Sequence, residues 1–245
     1  MSSNGVSTGN DRFNSDATNW DSNPIVQEAT RLAFQTLKPI IQQLSASSYS
    51  GLDVLEVGCG TGLLTLQLAP LVKDLVAVDP APGMIEMLQA KLESRSAEGP
   101  QNILPLCLSL TDAEDPMLPP AVADRPSGTR RKFDLIVSHL VLHHVPDLAP
   151  FLRALLSCLK PGGRVALTDF EDFGPDAMYF HPPSKLEGVE RHGIKREWMA
   201  DLMRSTGFTD VKVWVGWTMD VTIQGWEGAP ATLPFPFLVC EGTRP

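Results

Sequence analysis

The chain of 245 residues lacks several features that whole classes of protein require. It has only four cysteines, none in a CxxC pair or a zinc-type spacing, so we expect reduced thiols rather than disulfides. No run of 18 apolar residues is present, and the first residues have no apolar stretch typical of a signal sequence. These features predict a soluble, cytoplasmic protein with no membrane partner.

Basic residues are also scarce. The chain carries 20 Lys and Arg against 29 Asp and Glu, which gives a net charge of −9. Nucleic acid binding depends on basic side chains that displace counterions from phosphates, so this balance disfavours a nucleic acid partner. The length, with 43% hydrophobic residues, suits one α/β domain with a substantial core. The sequence leaves the oligomeric state open.

The order of apolar segments predicts how the chain is organised. Residues 1–18 are rich in Ser, Asn, Asp and Gly and are predicted to be a disordered tail, followed by a single domain over 19–245. Within that domain, 19–48 is a cap helix region that begins at Asn23-Pro24 and that Pro39 kinks or divides. The irregular segment 171–194 is a candidate lid over the acceptor.

Strands and helices alternate between these two regions. The predicted strands are 52–57, 75–78, 103–108, 133–137, 164–170, 211–217 and 235–241, and the predicted helices between them are 63–71, 82–94, 148–159 and 195–204. Most of these strands are apolar on both faces, which indicates a parallel sheet covered by helices on both sides. The Pro- and Arg-rich stretch 115–132 reads as a surface insertion.

The sharpest motif is VLEVGCGTG at 54–62, where a buried strand runs into Gly58, Gly60 and Gly62. Glycines there allow positive φ and let a ligand lie on the backbone beyond the carboxyl end of the strand. Asp79 ends the next strand, where a carboxylate can accept hydrogen bonds from both hydroxyls of a ribose. The pair predicts a nucleoside-containing ligand. The third glycine comes one residue earlier than in the dinucleotide fingerprint, which disfavours a nicotinamide cofactor.

Four segments carry a resemblance to the class I S-adenosylmethionine-dependent methyltransferases, and within them to small uncharacterised members. They are VLEVGCGTG (54–62), LVAVDPAPGMIEML (75–88), FDLIVSHLVLHHVPD (133–147) and LKPGGRVALTDFE (159–171). The resemblance implies a Rossmann-like methyltransferase fold: a doubly wound, mostly parallel seven-stranded sheet with an antiparallel C-terminal edge strand. It also implies S-adenosyl-L-methionine as cofactor and methyl transfer to a small-molecule acceptor through oxygen or nitrogen.

The resemblance also implies which residues bind the cofactor. Glu56, Gly58 and Gly60 would shape the pocket for the methionine part, Asp79 would hold the ribose, and Ser138 would face the methionine end. The further predicted cofactor-binding residues are Cys59, Pro80, Met84 on the adenine side, and either Ser109 or Asp112 as the reader of the adenine. Trp20 stands alone in a polar segment, so we interpret it as an anchor that folds over the cofactor.

A general base is needed only when the acceptor must lose a proton. His139 and His143 follow the fourth-strand segment and Glu171 follows the fifth, at the edge where ligands bind, so these three are the catalytic candidates. Each has a structural alternative: a histidine can pack beneath the loop, and Glu171 can simply solvate it. No HxH pair is present, and no metal is expected.

Two other readings of function stay open on the sequence. One is a methyltransferase that acts on protein or RNA, and the other is a methyltransferase-like subunit that binds cofactor without turnover. The glycine loop and Asp79 bear on cofactor binding alone and leave turnover open.

Overall fold

Seven strands form one mixed sheet in the computed structural model, which describes residues 10–46, 48–94, 99–122 and 128–245. The strands are β1 (Asp53–Val57), β2 (Asp74–Asp79), β3 (Ile103–Cys107), β4 (Phe133–His139), β5 (Leu159–Phe170), β6 (Thr209–Thr222) and β7 (Thr232–Thr243). Their order across the sheet is β3-β2-β1-β4-β5-β7-β6. The pairs from β3 to β5 are parallel, and β7 pairs antiparallel with both β5 and β6. The predicted fold class is thereby confirmed.

Helices cover both faces of this sheet. They are α1 (Asn10–Trp20), α2 (Pro24–Ala46), α3 (Thr65–Leu68), α4 (Pro82–Ser94), α5 (Leu148–Cys158) and α6 (Arg196–Ser205). Alternation along β1 sends Val54 into the cluster with Leu37 of α2 and Leu68 of α3, whereas Leu55 joins Leu152 of α5 on the other face. Each such buried side chain contributes about 1.5–3 kcal/mol relative to exposure. The apolar strands predicted from the sequence are therefore apolar because helices pack on both sides.

The N-terminal region differs from the prediction. Residues 10–18 were expected in a disordered tail, but they belong to α1, while residues 1–9 lie outside the described part of the chain. Phe13, Ala17 and Trp20 recur at helical spacing and pack against Met84 of α4. The Asn14 side chain also accepts a hydrogen bond from the Gly83 backbone at 2.9 Å. A single apolar stripe in a polar segment orders this helix through contacts that lie far away in sequence.

Smaller differences have local causes. The α2 helix runs unbroken through Pro39, where a kink or break was expected, and Asn23 caps its start as predicted. The predicted helix 63–71 is shorter, because it passes into a 3-10 turn at Pro70. Residues 160–163 were expected to be a loop but begin β5, since Gly162 and Gly163 pair with Arg244. Long pairing with β7 likewise extends β6 beyond the predicted 211–217.

No helix in the described ranges is long and apolar enough to span a bilayer. In the predicted insertion 115–132, Pro120 and Arg130 form an isolated antiparallel bridge. The parallel strands β1, β2, β4 and β5 all end at one edge of the sheet, and the candidate site lies along that edge.

Candidate functional site

The loop after β1 is shaped by its glycines. Gly58 has φ +74°, and a Cβ there would lie 2.2 Å from Cγ2 of Val141, so no side chain fits. Gly60 has φ +53°, but a Cβ there would meet only Nε1 of Trp20 at 3.8 Å and Sδ of Met84 at 4.0 Å. Gly58 is therefore required by packing, whereas Gly60 presents open backbone. This is the arrangement a ligand lying on the loop needs.

Asp79 is anchored beside this loop at the end of β2. One carboxylate oxygen accepts a hydrogen bond from the Gly60 backbone at 2.9 Å, and the other accepts from Ala81 at 2.9 Å. Burial raises the pKa of Asp79, and the two backbone donors counteract that rise. Each oxygen keeps a second lone pair. The carboxylate can therefore accept two further hydrogen bonds, and its contact with the two hydroxyls of a ribose stays a prediction.

Glu56 is the acidic group buried inside β1. Its Oε2 atom is buried and has no hydrogen-bond partner among the described residues. Burial raises the pKa of Glu56 to about 8, and the Asp79 carboxylate adds to the rise, so the carboxyl group is mainly protonated at pH 7. Beside it, Ser138 donates a hydrogen bond to the Val57 carbonyl at 2.8 Å and joins the ends of β4 and β1. An unpaired buried carboxyl oxygen is costly and fits a site that a cationic ligand completes.

The end of α1 lies against the glycine loop. Trp20 packs beside Met84 and approaches Gly60, and its role as an anchor over the cofactor stays a prediction. The following residue, Asp21, accepts a hydrogen bond from the Thr61 hydroxyl at 2.5 Å and forms an ion pair with Lys91 at 2.5 Å. The N-terminal helix is thus fastened to the loop by both apolar and charged contacts.

The remaining predicted cofactor residues are divided between two places. Cys59 is buried in the loop, and its thiol donates to the Gly60 carbonyl at 3.6 Å. The Pro80 carbonyl accepts a hydrogen bond from the Cys107 thiol at 3.8 Å. The Leu108 backbone donates to the Asp79 carbonyl, which sets the exposed Ser109 next to the end of β2.

Asp112 lies farther along the same segment. Its carboxylate accepts a hydrogen bond from the Glu114 backbone at 2.9 Å, and it lines a groove with Arg153 and Ser157 of α5. The structure therefore favours Ser109 as the residue beside the cofactor loop.

His139 is the last residue of β4, and its neighbours determine which ring nitrogen carries the hydrogen. The Thr168 hydroxyl donates its hydrogen to the Ser138 carbonyl at 3.2 Å. The same hydroxyl lies 2.9 Å from His139 Nδ1, and because its hydrogen is already used, it accepts a hydrogen bond from a protonated Nδ1. The Nε2 atom then carries a lone pair, and it is buried with no partner among the described residues. Burial lowers the pKa of His139 to about 4, so the ring is neutral at pH 7. Such a ring can accept a proton.

His143 and Glu171 have different surroundings. His143 is buried, its Nδ1 lies 2.8 Å from one oxygen of Asp169, and its backbone N–H donates to the other at 3.0 Å. Burial lowers the pKa of His143 and keeps its ring neutral. Glu171 instead places both oxygens against the Arg196 guanidinium, at 2.8 and 2.9 Å. His143 Nε2 is also without a partner among the described residues, but its ring lies against the rings of His144 and His181, and Glu171 is held in an ion pair. His139 is therefore the catalytic candidate with an unpartnered ring nitrogen away from these groups.

Sequence reasoning missed Thr168, whose hydroxyl sets the tautomer of His139. The signal was weak: a polar residue inside the apolar strand VALTDF. Arg12 was also missed, because it fell in the segment expected to be disordered. It donates hydrogen bonds to the carbonyls of Lys185 and Glu187 and so ties α1 to the segment 171–194.

Comparisons with known proteins agree on one family. A model of the methyltransferase domain matches residues 29–213. The chain is 30% identical over 170 residues to malonyl-[acyl-carrier protein] O-methyltransferase from Acetivibrio thermocellus, which covers 69% of the chain and 51% of that protein. It is 32% identical over 120 residues to ubiquinone biosynthesis O-methyltransferase from a Methylobacterium, covering 49% of the chain and 41% of that protein. The matched part spans about half the length of these curated relatives.

Among solved structures, magnesium protoporphyrin IX methyltransferase from Synechocystis PCC 6803, with bound SAH, superposes with a TM-score of 0.62. The match covers 96% of this chain and 98% of that one at 18% identity, which is a likeness of fold. Together with the domain match, these findings confirm the family resemblance found in the sequence.

Proposed function

The chain belongs to the methyltransferase-domain family, and from this premise we propose that it transfers the methyl group of S-adenosylmethionine to an oxygen or nitrogen atom of a small molecule. The observation that carries the proposal is the pairing of an open Gly60 backbone with an anchored Asp79 carboxylate. Glycine loop and acid lie at adjacent strand ends, as a nucleoside ligand requires.

The residues present fit the cofactor. Asp79 would hold the ribose, and the unpartnered Oε2 atom of Glu56 would accept a hydrogen bond from the ammonium group of the methionine part. Met84 with Trp20 would cover the base. When bound, S-adenosylmethionine supplies a methyl group already activated by its positive sulfur. The work left to the chain is to orient the acceptor and, where the acceptor carries a proton, to remove it.

His139 is the base in this proposal. Its Nε2 lone pair is free, and the Thr168 hydroxyl holds the opposite ring nitrogen in its protonated form. Trp217 lies beside it, with ring centroids 6.3 Å apart, and its indole N–H is also buried without a partner among the described residues. One unpartnered acceptor and one unpartnered donor therefore belong to neighbouring rings. They match a hydroxyl or amine group, which can give one hydrogen bond and receive another.

The relatives support a small acceptor that reacts through oxygen. Two of them are named as O-methyltransferases, and the structural neighbour is named for a porphyrin. The net charge of −9 adds to this, because a polyanionic RNA acceptor would be repelled.

The first test is calorimetry with S-adenosylhomocysteine on the full chain and on Asp79→Asn. Asn keeps one acceptor oxygen, so the variant loses one hydrogen bond to a carboxylate, about 1.5–3 kcal/mol, and should bind at least about tenfold more weakly. Equal affinity of the two proteins would refute the assigned cofactor site.

The second test supplies labelled cofactor with a panel of phenols, carboxylic acids and amines, and follows the gain of one methyl group by mass spectrometry. His139→Gln should lose turnover with proton-bearing acceptors and keep its affinity for S-adenosylhomocysteine. Transfer of label only to protein or RNA would overturn the small-molecule proposal, and tight binding without transfer to any class would favour the scaffold reading.

A further inference from the structure

We propose that His143, His144 and His181 bind one divalent transition metal ion, at a site separate from the cofactor loop. One ring nitrogen from each histidine lies within 4.8 Å of the other two. The histidines come from two places: a 3-10 turn after β4, Leu142–His144, and the segment 171–194 that crosses above it. We call these three side chains the histidine cluster.

The hydrogen bonds fix which ring nitrogens are available. His144 Nδ1 lies 2.6 Å from the Gly188 carbonyl, which can only accept, so Nδ1 is protonated and Nε2 carries the lone pair. His143 Nδ1 faces the Asp169 carboxylate at 2.8 Å, which leaves its Nε2 in the same state. Metal ions bind the lone pair of a neutral imidazole. Two of the three ligands are therefore already in the metal-binding tautomer.

Unpartnered polar atoms point to a missing ligand. His143 Nε2 and His181 Nδ1 are both buried, and neither has a hydrogen-bond partner among the described residues. The His143 side chain is only 2% exposed, so water does not satisfy it from outside. Leaving a buried polar atom unpaired costs about 1–3 kcal/mol. A cation among the three rings would satisfy these atoms together, whereas an anion would be repelled by the lone pairs.

The outer partners are those that metal-bound histidines use. A ligating histidine usually donates its second ring N–H to a carboxylate or a backbone carbonyl, which holds the ring in place. Asp169 does this for His143 and the Gly188 carbonyl does it for His144. The Asp169 carboxylate is itself held by the backbone N–H groups of His143 and Phe170. The cluster thus has its supporting shell as well as its ligands.

The distances require only a modest closure. Ring centroids in the cluster are 3.9, 5.0 and 5.9 Å apart. Zinc–nitrogen bonds of about 2.0–2.1 Å in tetrahedral geometry put the ligand nitrogens about 3.4 Å apart. The nitrogens therefore need to approach by about 1.4 Å or less, which side-chain rotation in the partly exposed His144 and His181 can supply.

The surrounding charges set an upper limit on affinity. Arg12 and Arg191 lie close enough to act on His143, and both are turned to backbone carbonyls: Arg12 to Lys185 and Glu187, and Arg191 to Val145 and others. Asp169 is the carboxylate in contact with the cluster. We therefore expect micromolar binding of zinc or cobalt, weaker than in a site with a carboxylate ligand.

A bound ion would have a mechanical consequence. It would tie His181 in the segment 171–194 to the turn after β4, and three protein ligands leave a fourth position open. This departs from the expectation of no metal, which rested on the local spacing of histidines in the sequence. The third ligand is far along the chain, so local spacing could not reveal it.

The test measures metal content and does not depend on methyl transfer. The untagged chain carries Cys107→Ser, because Cys107 is the exposed one of the four cysteines. It is dialysed to equilibrium against a fixed free concentration of zinc or cobalt well above the expected micromolar dissociation constant, and the metal on the two sides of the membrane is measured by mass spectrometry of the element. We expect about one ion per chain, visible absorption bands of four-coordinate cobalt, and a rise in melting temperature.

His181→Gln and His144→Gln should each reduce the bound metal at least tenfold, whereas His192→Gln should keep it, because His192 is exposed and outside the cluster. Circular dichroism and binding of S-adenosylhomocysteine show that each variant is folded. A parent chain without bound metal, or cluster variants that retain as much as the His192 control, would overturn the proposal and leave the proposed methyl transfer unaffected.

Discussion

Replacing each of two loop glycines by alanine separates folding from cofactor binding. At Gly58 the new Cβ would overlap Val141 at 2.2 Å, and the residue has φ +74°. Left-handed backbone costs about 1–2 kcal/mol for an L-residue, and overpacking costs about 1–3 kcal/mol. We expect Gly58→Ala to lower the free energy of unfolding by about 2–5 kcal/mol, which is ~5–15 °C in melting temperature for a chain of this size.

Gly60→Ala should affect the stability less than Gly58→Ala and should mainly weaken cofactor binding. The new methyl group has no neighbour closer than 3.8 Å, so only the left-handed backbone is penalised, by about 1–2 kcal/mol. The same methyl group projects from the open backbone face on which we place the cofactor. Affinity for S-adenosylhomocysteine should therefore fall at least about tenfold, or ~1.4 kcal/mol.

Urea denaturation gives the stability of each variant, and calorimetry at 15 °C gives the affinity of the folded fraction. The matched pair makes the comparison sharp, because the two substitutions are identical and only two positions apart. If Gly60→Ala binds the ligand as tightly as the parent chain, the cofactor does not lie on this loop. If Gly58→Ala is as stable as the parent, the packing argument at Val141 is wrong.

Three further predictions concern single side chains. Burial raises the pKa of Glu56 to about 8, so binding of a cationic cofactor at pH 7 should release up to about one proton from this group. Calorimetry in buffers of different ionisation enthalpy measures the release, and Glu56→Gln should release none. Because burial lowers the pKa of His139 to about 4 and a base must be neutral, kcat/KM for the acceptor, measured at saturating cofactor so that Glu56 does not contribute, should stay level from pH 8 to 5.5 and decline only towards pH 4. A decline centred near pH 6.5 under these conditions would contradict the assignment. Trp20→Ala should weaken binding of S-adenosylhomocysteine about tenfold, and an unchanged dissociation constant of the folded variant would exclude the anchor role.

The sheet could be predicted because its signals are local. The alternation of apolar strands with helices, and the glycine loop ahead of Asp79, are both readable within a few residues of the printed sequence. The boundaries that failed depend on partners elsewhere in the chain. Pairing of Gly162 with Arg244 draws residues 160–163 into β5, and contact with Met84 orders α1. Tertiary contacts of this kind override local composition.

The candidate site also has a part that the sequence could predict and a part that depends on distant contacts. Asp79, Glu56 and Gly60 follow from the motif itself, and the structure adds how each is held. The tautomers of the histidines could not be predicted, because the hydrogen-bond partner of each ring lies far along the chain. His139 is paired with Thr168, His143 with Asp169 and His144 with Gly188.

These three pairings have one physical cause. Burial disfavours a charged ring, so each histidine remains neutral and must place its one N–H on an acceptor, which leaves the other nitrogen as a lone pair. The surroundings of the unprotonated ring nitrogen differ between the histidines. At His139 the lone pair stands alone beside Trp217, which suits proton removal from an acceptor. At His143 and His144 the lone pairs converge with His181, which suits a metal ion. Histidines close together in the sequence are thus suited to different chemistry, because their ring N–H groups bind hydrogen-bond acceptors in different places.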